Sequence, residues 1–352
     1  MNHIRKGYYS AVYFNRTKKI LQNEEDNTPV TMQIFQRNDA ILCGVDEVTE
    51  LLKAGSGYWE RDTWITCWKK LRVISLCDGD TVTSKEPVMH ISGPYMYFAH
   101  LESLYLGIFA RRTLVATNTR RVVEAAAGKP VICFADRFDH FLNQEGDGYA
   151  AHLGGATGVC TPAQASWWDG TPSGTIPHAL IAVNDGNTID AALQFANNFP
   201  DVPLIILVDY TNDCVGIALS VAKRLKKRLW AVRIDTSLDV VDASLKNVSR
   251  SASGVTPMLV QNVRNALDQG GFSWVKIVVS GGFNPDKIRE NFEIPPEYTV
   301  IAMIAVGHPG ELDVLDEFNK NRETQARKRR PIGDLFYDSG WSKPINNNEL
   351  EQ

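Results

Sequence analysis

From residue 130 onward the chain alternates short apolar runs with helical stretches, and that rhythm constrains its fold more than any other feature. The runs are Val131-Ile132-Cys133-Phe134, Ala179-Leu180-Ile181-Ala182-Val183, Leu204-Ile205-Ile206-Leu207-Val208, Leu229-Trp230-Ala231-Val232-Arg233-Ile234 and Lys276-Ile277-Val278-Val279-Ser280. Near-continuous apolar strands separated by helices predict parallel β/α units, whose sheet is covered on both faces. Polar residues close the runs: Asp136 and Arg137 after the first, Asp209 after the third, Asp235 after the fourth, and Ser280-Gly281-Gly282 after the last. In an α/β barrel the carboxyl ends of parallel strands share one face, so these residues are expected to converge on one mouth.

Ahead of that region, residues 28 to 110 read as sheet-rich. Alternating stretches such as Val30–Phe35 and Leu71–Leu76 are separated by turn clusters at Gly55-Ser56-Gly57 and Asp78-Gly79-Asp80. Two helices are expected next, Tyr95 to Ala110 and Thr113 to Ala127, the second stopped by Gly128-Lys129-Pro130. The rhythm breaks again after Phe292, where Pro295-Pro296 precedes an apolar strand candidate, Val300–Val306, and a basic run, Arg327-Lys328-Arg329-Arg330. The expected organisation is an N-terminal α+β domain over 1–112, its first helix partly associated with the barrel, an α/β barrel over 113–292, and a tail over 293–352.

Composition narrows the function. The 352 residues are 44% hydrophobic and 22% charged, close to averages for folded soluble proteins. A net charge of -4 supplies no clustered basic face for nucleic acid or acidic lipid. No apolar run approaches the ~18 residues of a membrane span, and the basic start, Met1 to Tyr9, is followed by no signal-peptide core. A cytoplasmic location, with neither nucleic acid nor membrane as partner, is expected. The six cysteines form no Cys-x-x-Cys pair and have no histidine at zinc spacing, so reduced thiols and no protein metal site are expected.

Several blocks, in order, resemble nicotinate phosphoribosyltransferases over residues from about Gly7 to Phe292. They are Tyr13-Phe14-Asn15-Arg16-Thr17; Gln33–Arg37 with Gly44-Val45-Asp46-Glu47; Ser92-Gly93-Pro94-Tyr95 with Leu101-Glu102; Ala116-Thr117-Asn118; Phe134-Ala135-Asp136-Arg137; Gly174-Thr175-Ile176-Pro177-His178; Val232-Arg233-Ile234-Asp235; and Ser280-Gly281-Gly282. The chain departs from the family at Ala11, where an acidic residue is common, and at Thr157–Thr161, where many members carry a Gly-Thr-Ser-Asn-like run. The resemblance implies a type II phosphoribosyltransferase-like α/β barrel whose last β/α unit is replaced here, so that it is incomplete at its C-terminal end unless Val300–Val306 adds the closing strand and Gly307 stands in for the second phosphate turn. It also implies a homodimer that joins nicotinate to phosphoribosyl diphosphate, with ATP as co-substrate and Mg2+ accompanying the diphosphate.

The residue types suit that reaction. A 5-phosphate and a diphosphate need backbone amides and cations, and loss of diphosphate creates positive charge that a carboxylate can stabilise. Gly281 and Gly282 let backbone N–H groups approach a phosphate, with Ser280 as an extra donor; an ordinary turn is the alternative. Arg233 and Asp235 flank Ile234, so the period of two puts both on one face of a strand. The resemblance places them beside ribose and base, with Asp235 as charge stabiliser. It assigns Arg137 to the pyridine carboxylate, against a surface salt bridge, and Tyr13 to stacking on the pyridine ring across a dimer interface, against a core tyrosine. It makes His178 the residue phosphorylated by ATP, against a structural histidine. Asp209 either supports the same centre or caps a helix.

Residues from about 294 to 345 resemble instead the carboxyl-terminal segment of nitroreductases, through Pro295-Pro296-Glu297-Tyr298, Ile304–Gly310, Arg327–Ile332 and Phe336–Trp341. The amino-terminal flavin contacts of that family are missing from the sequence, so no flavin is expected. Quinolinate or nicotinamide as substrate on the same fold, and a degenerate non-catalytic homologue, stay open as alternatives.

Overall fold

The computed structural model describes residues 1–246, 253–285, 288 and 300–304. Two helices open the chain, α1 (Asn2–Arg5) and α2 (Val12–Asn23). A three-stranded antiparallel sheet follows, in which β7 (Pro87–Pro94) lies between β1 (Pro29–Phe35) and β5 (Arg72–Ser75). Two small ladders accompany it: β2 (Ala40–Ile41) with β6 (Thr81–Val82), and the hairpin of β3 (Gly57–Glu60) with β4 (Thr63–Thr66). Helix α3 (Val45–Gly55) packs Val48, Leu51 and Leu52 into a core shared with Ile34, Met89, Ile91, Phe98, Tyr105 and Phe109. Gly57 shows why sequence and fold agree here: its φ is +145°, and a Cβ on it would stand 2.0 Å from the Ile65 carbonyl oxygen, so only glycine lets β3 approach β4.

Lys18 of α2 is buried with no carboxylate partner among the described residues. Its Nζ lies 2.6 Å from the Gly57 carbonyl oxygen, 3.0 Å from His100 Nδ1 and 5.2 Å from the centre of the Trp64 ring. Burial drives its pKa down from 10.5 to about 7, and drives buried His100 down to about 3.

Where the sequence suggested two helices, the structure has one, α4 (Glu102–Ala125). No glycine or proline interrupts Ala110 to Thr113, and Arg111 and Arg112 in that stretch are held by partners on other elements. Arg111 makes a forked pair with Asp147 of α5 (Gln144–Leu153) and also meets Asp139. Arg112 reaches Glu47 of α3 at 2.8 Å and Asp147 at 3.0 Å, tying α3, α4 and α5 together.

The remaining elements are β8 (Val131–Cys133), β9 (Gly158–Val159), α6 (Pro162–Ala165), α7 (His178–Val183), α8 (Thr188–Asn198), β10 (Leu204–Leu207), α9 (Cys214–Leu225), β11 (Leu229–Ile234), α10 (Pro257–Gln269), β12 (Lys276–Val279) and β13 (Val300–Ile304). Six of them form one parallel sheet in the order β10-β11-β12-β13-β8-β9. The α/β class follows the sequence rhythm, with one correction: Ala179–Val183, expected as a strand, is helix α7. Pro177 and His178 start that helix, only Ile181 of it is buried, and Val183 is 78% exposed, a pattern no interior strand tolerates.

Residues alternate between the faces of this sheet. Val232, Ile234, Ile277 and Val279 pack with Val221 and Ala222 of α9 and Leu259 and Val263 of α10. Ile132, Ile205, Ala231 and Val278 form a second cluster, against which Phe134 and Trp230 pack. Burial on both faces explains the unbroken apolar runs.

Among the described residues, β9 and β10 are the edges of the sheet. The place where a missing unit was expected, after β12, is taken by β13, which pairs with β12 and β8. Apart from that strand, the tail with its nitroreductase-like blocks and Arg327–Arg330 lies outside the described residues. No described helix is long and apolar enough to cross a membrane.

Candidate active site

The carboxyl ends of β11 and β12 carry a polar cluster. Arg233 and Ala231 share a face of β11, and Ser280 follows Val278 on the neighbouring strand, so the period of two brings Arg233, Asp235 and Ser280 together. The Ser280 backbone N–H donates to the Ile234 carbonyl at 3.0 Å, extending the β11–β12 ladder to the cluster. The Arg233 guanidinium donates in three directions: Nε to Ser280 Oγ at 2.9 Å, Nη1 to Thr175 Oγ1 at 3.0 Å, and Nη2 to Asp235 Oδ2 at 3.0 Å. Its centre lies 5.5 Å from the Phe134 ring. Ser280 is almost fully buried, and its hydroxyl donates to Asp235 Oδ1 at 2.5 Å.

His178 opens α7 beside this cluster. Its Nε2 is 3.1 Å from Oδ2 of Asp209, which follows β10; the imidazole is 43% exposed and the carboxylate 6%. The hydrogen bond to Asp209 raises the His178 pKa above 6.5, with Coulomb attraction from Asp209 and then Asp235 adding to it, while partial burial and Arg233 oppose it. The second oxygen of Asp209, Oδ1, is buried and has no hydrogen-bond partner among the described residues. Helix α9 is capped by Asp213, which accepts from Gly216 N–H at 2.9 Å, so the capping alternative for Asp209 is set aside. The ring of Tyr210 stands 6.3 Å from that of His178.

The structure therefore gathers Arg233, Asp235, Ser280, His178 and Asp209. Ser280, an extra phosphate donor by the sequence reading, has its hydroxyl directed to Asp235 here. Gly281 and Gly282 follow with φ of +113° and +68°, values that side-chain-bearing residues rarely adopt, which explains two consecutive glycines. Arg137 is exposed in the loop after β8 and forms no hydrogen bond or ion pair with a described residue, so the surface salt bridge is absent there. Tyr13 is 63% exposed on α2 and packs on Phe14, which sets aside a core role. Neither Arg137 nor Tyr13 touches the cluster within this chain. Thr175 and Phe134 join the cluster in addition to the sequence candidates; both lie in the quoted blocks, and their sequence signal is a hydroxyl residue three places before the histidine and an aromatic two places before Asp136. No group of three or more His, Cys, Asp or Glu among the described residues can hold a metal ion.

Residues 11–113 match the family model described as quinolinate phosphoribosyl transferase, N-terminal domain. The crystal structure of nicotinate-nucleotide pyrophosphorylase from Pyrococcus furiosus matches with a TM-score of 0.71 and 30% sequence identity, covering 86% of this chain and 72% of that one. The chain belongs to the family of that nicotinate-nucleotide pyrophosphorylase. Nicotinate phosphoribosyltransferase pncB2 of Mycobacterium tuberculosis is 26% identical over 214 residues, which are 60% of this chain and 42% of that protein. The match thus spans less than half the length of that curated relative. The structure of human nicotinic acid phosphoribosyltransferase shares the fold, with a TM-score of 0.62 at 16% identity, over 84% of this chain and 72% of that one.

Proposed function

We propose that this family member is a nicotinate phosphoribosyltransferase, forming nicotinate mononucleotide and diphosphate from nicotinate and phosphoribosyl diphosphate, with ATP hydrolysed through His178. The observation that carries the reading is the His178–Asp209 pair standing beside the Arg233–Asp235–Ser280 cluster. With the Arg233 guanidinium engaged by Ser280, Thr175 and Asp235, Arg137 is the guanidinium assigned to a substrate carboxylate, which suits a pyridine with one carboxylate better than quinolinate, which carries two.

In the transfer step the pyridine nitrogen forms a bond to the anomeric carbon while the carbon–oxygen bond to diphosphate breaks, the electron pair leaving with diphosphate. Asp235 stabilises the positive charge that builds on the ribose ring, Arg233 faces the base, and the backbone amides of Gly281 and Gly282 bind phosphate oxygens. Arg137 reaches the nicotinate carboxylate. Tyr13 stacks on the ring from a second copy, a role supported by the exposure of Tyr8 and Tyr9 in the turn before α2 together with Val12 and Tyr13 at its start. In this reading the parallel sheet closes between β9 and β10 as the family's α/β barrel, and Mg2+ enters with the diphosphate as part of the substrate.

With Nε2 engaged by Asp209, Nδ1 is the free nucleophile of His178. It attacks the γ-phosphorus of ATP, ADP leaves with the bonding electrons, and the proton stays on Nε2 against the Asp209 carboxylate; water then releases phosphate and restores the imidazole. Incubation with ATP labelled at the γ-phosphate tests this directly. Acid-labile label on the wild-type chain, absent from His178→Asn, is the expected result. A chain that makes nicotinate mononucleotide without ever taking up label sinks the phosphohistidine step.

A further inference from the structure

Ser280 and Thr175 sit at the centre of the cluster, yet neither hydroxyl is free. Ser280 Oγ accepts from Arg233 Nε at 2.9 Å and directs its own proton to Asp235 Oδ1 at 2.5 Å, with the Ile234 carbonyl at 3.4 Å as a second acceptor. A hydroxyl has one proton, so a phosphate oxygen can gain a hydrogen bond from Ser280 only if Asp235 loses one. Thr175 Oγ1 accepts from Arg233 Nη1 at 3.0 Å and lies 3.1 Å from the Ile176 carbonyl oxygen. Asp235 Oδ2 takes the third edge of the guanidinium, and Phe134 packs near its face.

Resting on the phosphoribosyltransferase reading, we infer that Ser280 and Thr175 are positioning residues that clasp the Arg233 guanidinium and aim the Asp235 carboxylate, and that Ser280 is not a phosphate ligand. Three acceptors, two just past the ends of β11 and β12 and one on a loop, fix the guanidinium plane, and Ser280 fixes both Arg233 and Asp235 through a single oxygen. Thr175 extends the clasp to the segment that ends in His178, three residues on. A charge stabiliser works only if it is held in place before the charge develops, which is what a buried serine contributes here.

The inference separates kcat from KM. Steady-state kinetics of Ser280→Ala and Thr175→Val, with Ser280→Thr as the hydroxyl-retaining control, are expected to show kcat lowered by about 10- to 100-fold in Ser280→Ala, the scale of a charge-assisted hydrogen bond. The KM for phosphoribosyl diphosphate is expected to stay within about twofold of wild type, since uniform phosphate binding is untouched. Thr175→Val is expected to lower kcat less, because one guanidinium contact is lost and the carboxylate contact survives. Ser280→Thr is expected to recover most of the loss. A KM raised tenfold or more in Ser280→Ala with kcat unchanged overturns the inference and restores Ser280 as a phosphate donor.

A second readout does not depend on turnover. The Arg233 Nε–H signal in a nitrogen-resolved NMR spectrum, assigned by its loss in Arg233→Lys, is expected to be protected from exchange in wild type and Ser280→Thr and lost in Ser280→Ala. Equal protection in Ser280→Ala contradicts the clasp. A wild-type chain that turns over no pyridine substrate but shows this pattern removes the proposed function and leaves the clasp standing.

Discussion

Replacing Lys18 by methionine removes a buried ammonium while keeping the length of the side chain. The folded pKa is about 7 against 10.5 for the free group, so the unfolded chain holds a proton through that window that the folded chain has released. Folding is therefore opposed in full below about pH 7, and stability rises with pH until about 10.5. At ~1.4 kcal/mol per pKa unit, the full shift is worth about 5 kcal/mol as an upper bound, and about 3 kcal/mol of it is recovered between about pH 6 and about pH 9.5. Methionine forfeits the bonds to the Gly57 carbonyl and His100, which offsets about 1–3 kcal/mol at every pH. Urea unfolding of wild type and Lys18→Met, followed by far-ultraviolet circular dichroism at several pH values, cancels the titrations remote from Lys18 and leaves Lys18 with its coupled neighbours His100 and Cys67 in the difference. Wild type should gain on the variant by about 2–3 kcal/mol from the acid to the alkaline end of that range. Parallel curves refute the reasoning and require a counter-charge or water at Lys18.

Asp209→Asn removes the main cause of the raised His178 pKa, so the acid limb of ATP-dependent turnover should move to lower pH, since the imidazole loses its proton earlier. The plateau rate should fall at the same time, because Nε2 is no longer held; an unmoved limb in the pH–rate profile contradicts the assigned pair. Gly281→Ala puts a Cβ at a backbone φ of +113°. It should weaken binding of phosphoribosyl diphosphate by about tenfold or more through lost amide approach, read by calorimetry, with unchanged affinity counting against the phosphate role. Gly57→Ala should lower the thermal midpoint by several degrees, the scale of about 1–3 kcal/mol of strain, and a variant as stable as wild type contradicts the close approach of β3 and β4.

Much of this architecture was legible because parallel strands buried on both faces are near-continuously apolar, as Leu204–Val208 is throughout and as Leu229–Ile234 and Lys276–Val279 are apart from Arg233 and Lys276. The same rule misled at Ala179–Val183, where a short apolar run after Pro177 and His178 closes into a helix that buries only Ile181. Periodicity cannot separate a six-residue helix from a buried strand. The two-residue strand Gly158–Val159 was invisible for the opposite reason: it has too few residues to show any pattern. At the site, Arg233 and Asp235 were readable as same-face neighbours, since their spacing fixes it. The pairing of His178 with Asp209 joins residues 31 apart in sequence, and the commitment of the Ser280 proton depends on distances that no sequence motif encodes. Arg111 and Arg112 looked like a helix boundary and prove to be the ion-paired middle of α4.

The measurement that bears most directly on the central claim is product formation by the purified chain from phosphoribosyl diphosphate and a pyridine, with nicotinate, quinolinate and nicotinamide compared side by side and with ATP present or omitted. The account predicts nicotinate mononucleotide from nicotinate, stimulated by ATP in wild type and unstimulated in His178→Asn. Product from quinolinate alone, with no response to ATP, contradicts it.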